Sequence, residues 1–106
     1  MSWADEMNTY GPENVRFLLR YGRDALNENE YRLQLRIELK KYVGYHARQF
    51  LKPSRLTDGR FFAVHTAEIE AILDESGGDG EVRAAMILVK TMLLRGRRRL
   101  AEIPLR

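Results

Sequence analysis

The sequence predicts an all-α protein, a compact bundle of four or five helices, on three observations. Helix punctuation is dense, with Gly11-Pro12, Asn27 three residues before Glu30, and Gly77-Gly78-Asp79 marking stops and starts. Val82, Ala85, Met86, Val89, Met92, Leu93 and Leu100 recur at helical spacing on one face. Residues 31–40 are drawn mainly from Leu, Arg, Gln, Glu and Lys, all good helix formers. The alternative is an α+β fold with a small two-stranded element near 31–39 and 60–66.

Taken in order, Ser2 with Asp5 forms a weak capping pair. Gly11 ends a first turn, and Pro12 opens a helix over about 12–21, where its missing N–H costs nothing. Gly22 is the expected terminator. Asn27 and Glu30 make an N-cap pair for a longer helix over 28–51, stopped before Pro53. Within it Tyr31, Leu33, Leu35, Ile37 and Leu39 alternate with polar residues, a strand pattern carried by helix-forming residue types. As a helix this segment is apolar on two sides, which suits a central helix contacted from both. Phe61-Phe62-Ala63-Val64-His65 is the other candidate strand. Thr57 or Thr66 opens a third helix that ends near Gly77-Gly78, and Asp79 caps a fourth over about 80–99. Ile87, Leu88 and Leu94 add apolar character to that helix, which places it at the centre of the core. The end, Ile103 to Arg106, is read as frayed or packed by its Leu and Ile.

With 106 residues the chain is expected to be a single helical domain, 1–106, with one core. Its 44% hydrophobic and 31% charged residues suit a globular protein. No cysteine is present, which rules out disulfides and thiolate metal sites and fits a reducing compartment. The N-terminus has neither the basic start nor the apolar run of a signal peptide, and the longest apolar stretch, 84–94, is too short to cross a bilayer. A cytoplasmic protein of the bacterial host cell, with no membrane partner, is expected.

Charge is distributed in blocks. Residues 1–15 carry three acids and no base, and residues 16–60 carry eleven bases against five acids. Residues 61–82 carry six acids and no base, and residues 83–106 carry seven bases against Glu102 alone. The net charge of +3 therefore hides two strongly basic segments that can attract polyanions. Arg16, Arg20 and Arg23 fall at i, i+4 and i+7, and Arg32, Arg36 and Lys40 at i, i+4 and i+8. Lys41 and Arg48 add charge on another side. Cations rising about 6 Å per helical step roughly match phosphates along an extended single strand. The same residues also read as solvated faces paired to Glu28, Glu30 and Glu38. Arg95, Arg97, Arg98 and Arg99 crowd four guanidinium groups into five residues. The helix dipole accounts for one or two of them, and an anion for the rest. Asp74, Glu75, Asp79 and Glu81 are expected away from the binding face. Among the rings beside bases, Tyr21 and Tyr45 are the best candidates for stacking on bases.

Catalysis is not expected. His46 and His65 belong to no zinc-protease or deaminase pattern, and His65 with Glu68 is a single i, i+3 pair, so neither metal nor cofactor is predicted. Gly77-Gly78-Asp79-Gly80 lacks the Lys-Ser/Thr of a phosphate loop and fails the calcium-loop spacing. A recognition helix over 82–94 would have only Arg83 and Lys90 to reach bases. No small-molecule substrate is implied, and a monomer is expected.

From Met1-Ser2-Trp3-Ala4-Asp5-Glu6-Met7 through Tyr10-Gly11-Pro12-Glu13 to Arg97-Arg98-Arg99, the whole chain resembles small phage-encoded anti-CRISPR proteins, closest to inhibitors of type I-E systems. The resemblance rests on length and helical character and transfers no functional residue. It implies a non-enzymatic inhibitor of a type I CRISPR effector complex, its nucleic acid or its nuclease recruitment. Such inhibitors often mimic DNA with acidic surfaces, whereas the dense blocks here are basic. The expected function is thus a CRISPR inhibitor that binds nucleic acid, single-stranded DNA favoured, through its Arg stripes. The alternatives are a protein-docking inhibitor whose basic surface meets an acidic effector subunit, and a phage accessory nucleic-acid-binding protein.

Overall fold

The computed structural model describes residues 10–51 and 59–101, with the side chains of Tyr10 and 97–101 left aside. Among them lie four helices and no strand, as the all-α reading expects. Helix α1 covers residues 10–25 as a continuous rod: an α-helical Tyr10–Phe17, a π-helical Leu18–Gly22 and a closing turn Arg23–Ala25. Helix α2 is Glu28–Leu51, α3 is Gly59–Ser76 and α4 is Gly80–Ala101.

The local signals explain most of these boundaries. Asn27 Oδ1 accepts from the Glu30 N–H at 2.9 Å, and Glu30 Oε1 accepts from the Asn27 N–H at 3.4 Å, a reciprocal box that opens α2. Gly77 and Gly78 adopt φ of 60° and 91°, where a side chain would be strained, and so end α3. Asp79 then caps α4. Of the two openings considered for α3, Thr57 lies outside the described residues, and Thr66 sits inside the helix. Phe61–His65 is helical, as is the alternating 31–39 segment.

Gly22 corrects the reading of the first helix. It does not stop α1 but stands inside it with φ −63°, and Leu26, extended at φ −122° and ψ 151°, ends the rod instead. The reason is long-range. A Cβ on Gly22 would lie 3.0 Å from the Tyr31 ring and 3.3 Å from Leu18, so the missing side chain lets α1 close onto α2.

Four helix pairs pack extensively: α1 on α2, α1 on α3, α2 on α4 and α3 on α4. Arg32 meets Asp79 and Arg36 meets Glu81, so α2 and α4 run parallel; each is antiparallel to its hairpin mate. One core joins them, with Val15 from α1, Tyr31, Leu35 and Tyr42 from α2, Phe61 and Ile72 from α3, and Val82, Met86, Val89 and Leu93 from α4. The predicted apolar face of α4 is thus the buried one; Ala85 and Met92 are half-buried and Leu100 is outside the described side chains. Its other apolar residues are not central. Ile87, Leu88 and Leu94 are about half exposed, and on α2 Leu33 and Ile37 also face out, so α2 is covered on one side only. The Ser2–Asp5 pair and the 103–106 end lie outside the described residues.

Candidate nucleic-acid interface

The cations singled out by spacing separate into three groups. The first is engaged by carboxylates. Arg16 Nε and Nη2 donate to Glu75 Oε1 at 3.1 and 3.0 Å, Arg16 Nη1 reaches Glu68 at 3.4 Å, and Arg20 Nη2 closes on the same Glu75 oxygen. Arg32 Nη1 meets Asp79 Oδ2 at 2.6 Å and lies 3.7 Å from Glu28. Arg36 holds Glu81 through two parallel bonds of 2.8 Å. Lys41 lies 3.5 Å from Glu38. The expectation that Glu75, Asp79 and Glu81 stand away from the arginine stripes therefore fails: they are the stripes' partners. The partners are the acidic block 61–82 more than Glu28, Glu30 and Glu38, and Glu30 serves the capping box instead.

These contacts also set the ionisation of the acids. Burial disfavours the charged form of Glu75, yet the hydrogen bonds from Arg16 and Arg20 outweigh it and hold the carboxyl below its ordinary value. Asp79 behaves alike, its burial outweighed by the Val82 N–H and Arg32. Glu81 is lowered chiefly by the Arg36 hydrogen bonds.

The second group has no ion pair among the described residues. Lys40, Arg48 and Arg95 are exposed, and Arg23 stands over the Tyr31 ring, 5.1 Å from its centroid. The third, Arg97, Arg98 and Arg99, occupies the last turns of α4, with side chains outside the described residues. The stripe Arg16/Arg20/Arg23 is not continuous. The π-helical turn between Arg16 and Arg23 holds more residues than an α-turn, so the i, i+7 step no longer returns to one face. Arg16 and Arg20 lean on α3, while Arg23 leans on α2.

What the α1 surface does assemble is a ring pair. Phe17 and Tyr21 are 62% and 55% exposed, with centroids 5.1 Å apart and planes tilted by 53°. With Glu13, Arg16 and Arg20 they line a shallow depression of about 170 Å³. Tyr21, one of the two rings that the sequence offers for stacking, is exposed. Phe17 was missed, although two rings at i, i+4 on a helix are a readable signal. Tyr45 is not comparable, since it is half-buried in a cluster with His46, Phe61 and His65.

That cluster is the other concentration of chemistry-bearing side chains. His46 and His65 are buried with centroids 4.5 Å apart, edge to face, and the Tyr42 hydroxyl shares a 2.7 Å hydrogen bond with His65 Nδ1. Burial and the neighbouring His65 push His46 down to about 3, so it is neutral near pH 7. Burial, with smaller effects of Glu68 and Tyr45, raises Tyr42 above its ordinary value. Among the described residues no three His, Asp or Glu side chains converge to hold a metal, and no helix is long and apolar enough to cross a membrane.

Comparison with protein-family models, with curated proteins and with solved structures finds no match for this chain. The fold defines an α-helical bundle with an aromatic and cationic outer face on α1.

Proposed function

We propose that this is a non-catalytic binder of single-stranded nucleic acid that obstructs type I CRISPR interference. The observation that supports the binding is the exposed Phe17–Tyr21 pair beside Arg20, with Arg23 following. Bases stack on aromatic faces whatever their sequence, and flanking guanidinium groups meet the phosphates. A duplex hides its base faces and offers such a platform only phosphates. Interference with a CRISPR complex follows from the whole-chain resemblance to anti-CRISPR proteins, and a phage accessory role would use the same contacts.

The protein-docking reading draws on the same cations and gains nothing from their pairing: Arg16, Arg20, Arg32 and Arg36 already have carboxylate partners, which leaves less free charge for an acidic subunit as for phosphate. The two are separated by anisotropy titration of fluorescent (dT)8 and of a duplex of equal length. The expected result is preference for the single strand, with Phe17→Ala/Tyr21→Ala losing about 1–3 kcal/mol per stacked base and unchanged helicity. The same variant should fail to protect phage in cells carrying a type I-E system. Equal affinity for duplex and single strand would take the rings out of the site.

A further inference from the structure

Between α2 and α4 the surface opens into a groove of about 580 Å³ that shares no residue with the α1 ring pair. Its floor and walls are apolar: Leu33, Ile37 and Val43 from α2, Ala84 and Leu88 from α4. Leu33 is 61% exposed and Leu88 49%, so these side chains are unburied although both helices contribute their opposite faces to the core. From Leu33 to Val43 the groove follows α2 for about 15 Å, long enough for two turns of a third helix. Parallel helices side by side leave a furrow that accepts another helix by ridge-into-groove packing.

The rim decides the charge of the occupant. Arg36, Lys40 and Glu81 are its ionisable groups. Glu81 is consumed, because each of its oxygens accepts one bond from Arg36. Lys40 is exposed and has no ion-pair partner among the described residues, so Arg36 and Lys40 against Glu81 leave one positive charge over. The rim thus carries a surplus of positive charge over an apolar floor. A second copy of the chain would bring the same surplus against it. A partner helix with apolar anchors and carboxylates on its flanks satisfies both features at once.

We propose that the α2–α4 groove is a docking site for an acidic amphipathic helix of a partner protein. Two or three apolar side chains at i, i+3 or i+4, and i+7 would enter beside Leu33, Ile37 and Leu88, and a flanking carboxylate would meet Lys40. The inference does not depend on the nucleic-acid reading.

The experiment is selection of a phage-displayed library of helical 18-residue peptides on the full chain, with Ile37→Asp/Leu88→Asp protein as counter-selection. Both positions are exposed, so the variant should keep its circular dichroism; Leu33→Glu gives the same comparison should the double variant unfold. Recovered peptides are expected to be net acidic with apolar residues at helical spacing. They should bind the parent at least tenfold tighter than the groove variant, and Lys40→Glu should weaken them severalfold while (dT)8 binding stays at the parent level in the groove variant. Failure to enrich, recovery of neutral or basic peptides, or equal binding to parent and groove variant would overturn the proposal. So would a parent that sediments as a dimer dispersed by Leu88→Asp, which would make a second copy the occupant.

Discussion

At the scale of single residues, two glycines in helices make opposite predictions. Alanine is favoured over glycine in a helix by about 0.8–1 kcal/mol. A Cβ at Gly44 would meet only the flexible end of Arg48, at 3.5 Å, so Gly44→Ala should stabilise the protein by nearly that amount. At Gly22 the new Cβ would press on the Tyr31 ring at 3.0 Å, and that ring is buried and flanked by Arg23 and Arg32. Overpacking of this kind costs about 1–3 kcal/mol and outweighs the propensity gain. Gly22→Ala should therefore lower the urea midpoint while Gly44→Ala raises it. A rise in both would show that α1 and α2 can separate slightly without penalty.

His46 gives a second residue-scale prediction. Its folded value of about 3 lies below the ordinary 6.5, so between these values the unfolded chain binds a proton that the folded chain does not. Stability must then fall as pH falls through that window, by up to about 1.4 kcal/mol per unit. Glu75, Asp79 and Glu81 are also lowered, but their contribution is complete above the ordinary carboxyl value and is lost only at lower pH. Denaturation between pH 6.5 and 4.5 should accordingly show a slope that His46→Phe flattens, with the steeper acid limb kept in both proteins. An unchanged slope in the variant would assign the loss to another group.

At the scale of the element, Asp79 joins two helices with one side chain. Its Oδ1 accepts the N–H groups of Glu81 and Val82 at 3.0 and 3.1 Å, which caps α4, and its Oδ2 holds Arg32 of α2. Asp79→Asn keeps a capping oxygen and loses the charge, whereas Asp79→Ala loses both. The expected costs are about 1 kcal/mol for Asn and about 2–3 kcal/mol for Ala, read as melting temperatures. Equal losses would mean that the ion pair, not the cap, holds this corner. The cap itself was legible in the sequence, as were the Asn27–Glu30 box and the bounds of α2, because each depends on residues within one turn. The Arg32–Asp79 pair was not legible. Nor was the length of α1, since Gly22 resembles a terminator until Tyr31 is known to lie against it. The apolar second side of α2 was visible, but which side the core would cover depended on the placement of α4.

At the scale of the whole molecule, the blocks of charge along the chain fold onto one another. Arg16 and Glu75 are separated by 59 positions and Arg36 and Glu81 by 45, so no local pattern could pair them. Folding thus converts a sequence with two basic segments into a surface where much of that charge is already compensated, and this has a measurable signature. Binding of a single strand loses affinity with salt at a slope of about −0.7 per phosphate neutralised. With Arg16 partly buried against Glu75, and Arg20 sharing that acid, Arg20 and Arg23 are left to meet phosphates beside the ring pair. A shallow slope of about −1 to −2 is expected for (dT)8. Glu75→Gln should release Arg16 and Arg20 from their common partner. Oligonucleotide affinity should then rise and the slope steepen by about one, even as the melting temperature falls with the loss of the bridge between α1 and α3. Opposite signs for binding and stability in one variant are what the internal pairing predicts. If Glu75→Gln instead weakened binding with the fold intact, the acidic block would belong to the recognition surface and α1 would engage a protein rather than a strand.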